Sequence, residues 1–105
     1  MSDPKNLTLN LINAVINNNE EEVYTLLNEG AEPNAFLDDA QITPLHYAAQ
    51  NNSSKVIQLL IEAGGNIHAK TQPDLQSPLE IATLYNFPQV IQLLTYYGQV
   101  KTTLT

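Results

Sequence analysis

The chain contains no cysteine and no arginine. Without cysteine there is no disulfide framework, no thiolate metal site and no cysteine nucleophile. That absence fits a reducing compartment, and the cytoplasm is the expected location, although exported chains also do without cysteine. The four basic residues are all lysine, set against eleven acids, for a net charge of −7. Such a balance repels phosphate backbones and anionic headgroups, so neither nucleic acid nor a membrane is an expected partner. Glycine is scarce, and Gly64-Gly65 lacks the Lys-Ser/Thr pair that would follow in a phosphate loop. No apolar run is long enough to span a membrane. The opening MSDPKNLTLNLINAVI has no basic start and is broken by Asn10 and Asn13, unlike a secretory signal. Delivery into another cell without such a signal stays open. The glycosylation pattern at Asn6-Leu7-Thr8 is too short to carry weight.

What is present is enough for one domain over residues 1–105, with 43% hydrophobic residues to build a core. Charge is unevenly spread. Residues 1–40 hold eight acids and one lysine, whereas in 41–105 Glu62, Asp74 and Glu80 balance Lys55, Lys70 and Lys101.

The main signal is repetition. TPLHYAAQ at 43–50 returns as SPLEIATL at 77–84 and, blurred, as LNLINAVI at 9–16. Leu11, Leu45 and Leu79 stand 34 residues apart, as do Ala14, Ala48 and Ala82, and Gly30, Gly64 and Gly98. A fixed period of this length is the mark of a solenoid. The repeats cover about 7–40, 41–74 and 75–100, with a short tail at 101–105.

Each repeat reads as two helices. Thr43-Pro44 and Ser77-Pro78 supply a hydroxyl at N-cap and proline at N1. The small Ala48 and Ala49 admit a close helix neighbour, and Asn51-Asn52-Ser53 make the turn. The second helix, SKVIQLLIEA, places Val56, Leu59, Leu60 and Ala63 on one stripe. Val23, Leu26 and Leu27 repeat it in the first copy, and Val90, Leu93, Leu94 and Tyr97 in the third. Gly30, Gly64 and Gly98 are expected to end these helices in the left-handed C′ conformation. Asn19 before Glu20-Glu21-Glu22 reads as a cap followed by acids at the positive end of the helix dipole. Three consecutive helical carboxylates point about 100° apart and do not converge on one metal ion.

TPLHYAA followed by VIQLLIEAGGNIHA closely resembles the ankyrin repeat, which pairs a TPLH-A-A helix with an LL-x-x-G-A-D-x-N-A ending. The resemblance covers roughly residues 7–100 and is weakest in the first helix. It implies an all-α fold, a solenoid of three stacked antiparallel helix pairs joined by β-hairpin-like loops. The usual repeat of about 33 residues is one shorter than here. Its Asp-Gly turn is missing, with Asp39-Ala40 and Asp74-Leu75 near its place.

The ends carry a polar signature. Positions 22, 56 and 90 read Glu, Val, Val, and 25, 59 and 93 read Thr, Leu, Leu, so only the first copy is polar there. Positions 27, 61 and 95 read Leu, Ile, Thr, polar only in the last. This is the pattern of capping repeats, which present polar outer faces to water. Ile91, Leu84 and Tyr97 are candidates for an apolar patch near the C-terminal end. A monomer is expected, with a weak dimer through the last repeat as the alternative.

No catalytic pattern emerges. The resemblance assigns His46 a structural hydrogen-bonding role between repeats, and Glu80 replaces it in the third copy. His68 occupies the place of Asn34 and is expected to steady a turn. The two histidines have no zinc spacing, Ser77 is accounted for as a cap, and no cofactor is expected. What the resemblance does imply is a binding face formed by loop tips and first helices. Transferred by position, it takes Phe36, Leu37, Asp38, Asp39 and Ile42 from the first connection, with Gln50 and Asn51 from the middle helix. Thr71, Gln72, Asp74, Leu75 and Gln76 follow from the second connection, and Leu84 and Tyr85 from the third repeat. Phe36 and Tyr85 are the expected anchors. The alternatives are that Phe36 folds over its loop base and that Tyr85 packs on the helix opened by Pro88. The expected function is a non-enzymatic module that binds another protein. The alternative is an inhibitor or immunity-type protein blocking an enzyme's cleft.

Overall fold

The computed structural model describes residues 4–103, and the side chains of residues 7–99. Six helices follow in order: α1 (Pro4–Ile16), α2 (Glu20–Asn28), α3 (Pro44–Gln50), α4 (Ser54–Glu62), α5 (Pro78–Leu84) and α6 (Pro88–Thr103). They pair as α1/α2, α3/α4 and α5/α6. The first helices stack in the row α1–α3–α5 and the second in the row α2–α4–α6. Among the described residues there is no strand, and no helix is long and apolar enough to cross a membrane.

Local chemistry sets the helix ends. At α5, Ser77 and Glu80 form a reciprocal capping box: Glu80 N–H donates to Ser77 Oγ at 3.2 Å, and Ser77 N–H to Glu80 Oε1 at 2.8 Å. At α2 the Asn19 carboxamide accepts from Glu22 N–H, and Glu20, Glu21 and Glu22 fill the exposed first turn. The C-terminal ends repeat as well. Asn18, Asn52 and Asn86, 34 positions apart, adopt φ of 54–58° after the first helices. Gly30 and Gly64 adopt +104° and +102° after the second. Behind each glycine the paired bonds of a Schellman motif close the helix, Gly30 N–H to Leu27 O and Ala31 N–H to Leu26 O in the first case.

Gly98 departs from that pattern. α6 continues through it to Thr103. Where the earlier copies turn through Pro33-Asn34 and Asn66, the third reads Gln99-Val100-Lys101, which has no turn former.

The core runs between the layers. Leu11, Leu45, Ala48, Val56, Leu60, Ala82 and Val90 are at most 1% exposed. The stripe of α4 is rotated from its expected setting: Ile57 is fully buried, Leu59 is half-buried and Ala63 is exposed. α4 packs on α3 as well as on α2 and α6, and Val56, Ile57 and Leu60 are its buried positions. Burial of each aliphatic side chain contributes roughly 1.5–3 kcal/mol. Leu59 instead faces the first repeat, lining a shallow cleft with Leu27 and Tyr24. Glu22, Thr25 and Thr95 are exposed.

Among the described residues the connections carry no strand. Thr71 N–H donates to Gln76 O at 2.9 Å, Leu75 N–H to Thr71 O at 2.8 Å, and Gln72 N–H to Ala40 O of the preceding connection at 2.8 Å. Gln41 and Leu75, again 34 apart, carry φ of 55° and 57°. Without glycine at these places the backbone still takes the left-handed turn, and among the described residues no strand flanks it.

Candidate functional site

His46 fixes the second connection. Its Nδ1 lies 3.0 Å from Thr43 N, which can only donate, so Nδ1 is the unprotonated nitrogen. Thr43 Oγ1 approaches the same atom at 2.8 Å. Nε2 carries the proton and donates to Ala69 O at 3.0 Å and Gln76 O at 2.8 Å. The ring is fully buried, and burial lowers its pKa, against the two carbonyls that favour the charged form. This is the structural role the sequence implies. Glu80, in the same register of the third copy, is exposed and spends its carboxylate on the capping box; the Ser77 backbone N–H is the main cause of its lowered pKa. Lys70 stands 3.9 Å away.

Asparagines tie the layers together. Asn34 Nδ2 donates to Gly64 O at 3.1 Å, and its Oδ1 accepts from Asn66 N–H at 2.6 Å. His68 holds the same register but is exposed, and the turn there is steadied by Asn66 Oδ1, which accepts from His68 N–H. Asn51, expected at the binding face, is occupied elsewhere. Its Nδ2 donates to Val15 O at 3.2 Å and Ile16 O at 2.8 Å, covering the last carbonyls of α1.

With the second connection held in this way, a groove of about 320 Å³ opens between it, the end of the first connection, and helices α3 and α5. Ile42 and Gln50 line one side, and Thr71, Gln72, Asp74 and Gln76 another. Leu84 and Tyr85 close the end. Thr71 is buried, and its Oγ1 accepts from Gln76 N–H, so it shapes the wall. Ala40 and Ile81 complete the lining. Neither was singled out from the sequence, although Ile81 precedes Leu84 and Tyr85 by three and four positions, the spacing that puts helical residues on one face.

The remaining expected residues lie apart from this groove. Phe36 is half exposed in a separate cleft of about 280 Å³, with Asn34, Gln41, Asn66 and Lys70 among its neighbours. Leu37, Asp38 and Asp39 are exposed at the tip of the first connection, where Asp38 Oδ1 accepts from Ala40 N–H at 3.0 Å. Leu75 is exposed at the tip of the second. Tyr85 stacks on Phe87, ring centroids 5.9 Å apart, and remains 48% exposed. Leu84 belongs to the groove, whereas Ile91 packs against the core and Tyr97 meets Tyr96 edge to face.

A stack of capped helix pairs, the first tied to the second through Asn34 and Asn51 and the second to the connection before the third through His46, defines a helical repeat protein. The family described as ankyrin repeats (3 copies) matches residues 11–104, and the chain belongs to it. No curated protein matches the chain.

Proposed function

We propose that this chain is a monomeric, non-enzymatic adaptor that receives a partner protein in the groove between the second connection and α3/α5. Ankyrin repeats are generally protein–protein interaction modules, and the family is typically non-enzymatic. Leu84 carries this reading. At 69% it is the most exposed of the large hydrophobic side chains among the described residues, beside the half-exposed Tyr85. Ile42 and Ile81 extend the apolar floor. An aliphatic residue left in water beside an aromatic, at a recess with polar walls, is the arrangement of an interface core and rim.

The test is a paired capture from a source lysate with the native chain and with Leu84→Glu. A specific partner retained by the first and lost by the second, at equal melting temperature, supports the groove. Equal retention by both rejects it. Light scattering on the same samples reads the oligomeric state.

A further inference from the structure

The two recesses beside the connections differ in sign. The Phe36 cleft includes Lys70 and no carboxylate. The groove includes Asp74 and no lysine. Among the described residues the one ion pair is Lys70–Glu80, so Asp74 makes none there. Asp38 and Asp39 add negative charge at the neighbouring tip.

Two further features favour a cation in the same place. Gln50 ends α3 at the groove, where the last carbonyls give a helix its partial negative charge. Asn51 covers the corresponding end of α1 with its carboxamide, but Tyr85 holds that register in the third repeat and has no amide to offer α3. Tyr85 presents instead a half-exposed ring braced by Phe87, a surface on which a guanidinium or ammonium group can lie.

We infer that the groove takes a basic segment of another protein, with an arginine or lysine between Asp74 and Tyr85 and an apolar neighbour on Leu84. This rests on the groove being the binding site and adds the chemistry of what enters it. Arginine fits better than lysine, because its planar group can stack on the ring while donating to the carboxylate. A second copy of this chain is a poor occupant, since it has no arginine and both copies carry −7.

The probes are four short Gly-Ser peptides, each with one leucine and a flanking pair of arginine, lysine, glutamine or glutamate. Each is titrated against the isotopically labelled chain while amide shifts are followed. Expected is movement of amides at Gln72, Asp74, Leu84 and Tyr85 with the arginine peptide, weaker movement with lysine, and about ten-fold weaker binding with glutamine. Raising salt from 0.1 M to 1 M, which shortens the screening length from about 10 Å to about 3 Å, should reduce the arginine response. Asp74→Lys should weaken it about ten-fold, whereas Glu21→Lys, the same charge change on exposed α2, should leave it within about two-fold. Equal movement of groove amides by the glutamine or glutamate peptide overturns the charge inference and leaves the groove standing. Arginine-induced shifts confined to Glu20–Glu22, or equal loss in both variants, overturn the location. Silence of the groove amides with all four peptides overturns the inference; the groove itself is then judged by the Leu84→Glu capture.

Discussion

His46 donates from Nε2 to the carbonyl of Gln76 at 2.8 Å, across 30 positions of sequence. One buried imidazole thereby ties the middle hairpin to the connection that forms the groove wall. That bond needs the neutral ring with its proton on Nε2, since Nδ1 must accept from Thr43.

The first prediction concerns pH. The folded pKa of His46 lies below the ordinary histidine value of 6.5 because of burial. Above 6.5 both folded and unfolded rings are neutral and stability is level. Below it the unfolded chain takes up the proton first, so stability falls until the folded pKa is passed. Glu80, with its pKa lowered from 4.5, adds a loss in a more acidic window. Urea midpoints of the native chain should drop between pH 7.5 and pH 5.5, and that drop should vanish in His46→Gln. At neutral pH His46→Ala should cost about 1–3 kcal/mol, because buried carbonyls lose their donor. A drop of equal size in His46→Gln would remove this account.

Register-equivalent glycines should respond with opposite sign. Gly64→Ala meets no atom within 4 Å, yet its φ of +102° makes alanine unfavourable, by about 1–2 kcal/mol. Gly98→Ala lies inside α6 with only Ile67 Cδ1 at 3.6 Å, an ordinary contact, and should stabilise by about 0.5–1 kcal/mol. Thermal melts of the two variants decide the matter.

Leu75→Gly should stabilise the chain. Leucine at φ 57° costs roughly 1–2 kcal/mol relative to an unstrained residue, and glycine gives back about half in lost chain entropy. Leu75 is 53% exposed, so little packing disappears. The net gain should be about 0.5–1 kcal/mol in denaturant unfolding, and a loss of stability would show that Leu75 packs more than its exposure indicates.

Asn34→Ala should cost about 1–2 kcal/mol, because it breaks two bonds to the next repeat. His68→Ala, in the same register, should stay within about 0.5 kcal/mol, since its side chain is exposed and makes no such bond. Equal effects at the two positions would mean that the layers are not joined this way.

Much of the architecture was legible because it repeats. The 34-residue spacing, the Thr/Ser-Pro starts and Gly30 and Gly64 correspond to helix ends found in the structure. Asn18, Asn52 and Asn86 carried the same signal in plain view and went unread as left-handed caps. Gly98 misled because glycine permits a turn without compelling one, and the residues after it supply none. Ile57 displaced Ala63 from the buried stripe because the periodic pattern does not say which of three neighbours a helix will face. Position alone could not show that Asn51 is drawn to the carbonyls of α1, or that Phe36 and Ile42, six residues apart, line different recesses. Those outcomes depend on hydrogen bonds and loop torsions set by the whole fold.

The tether at His46 also has a mechanical side. The connection it holds is also joined to its neighbour by Gln72 to Ala40 and by Asn34 to Gly64 and Asn66. A pull on the second finger is therefore shared between the first connection and the imidazole, which leads to the centre of the stack. The middle layer becomes part of the anchorage for whatever load an occupant applies.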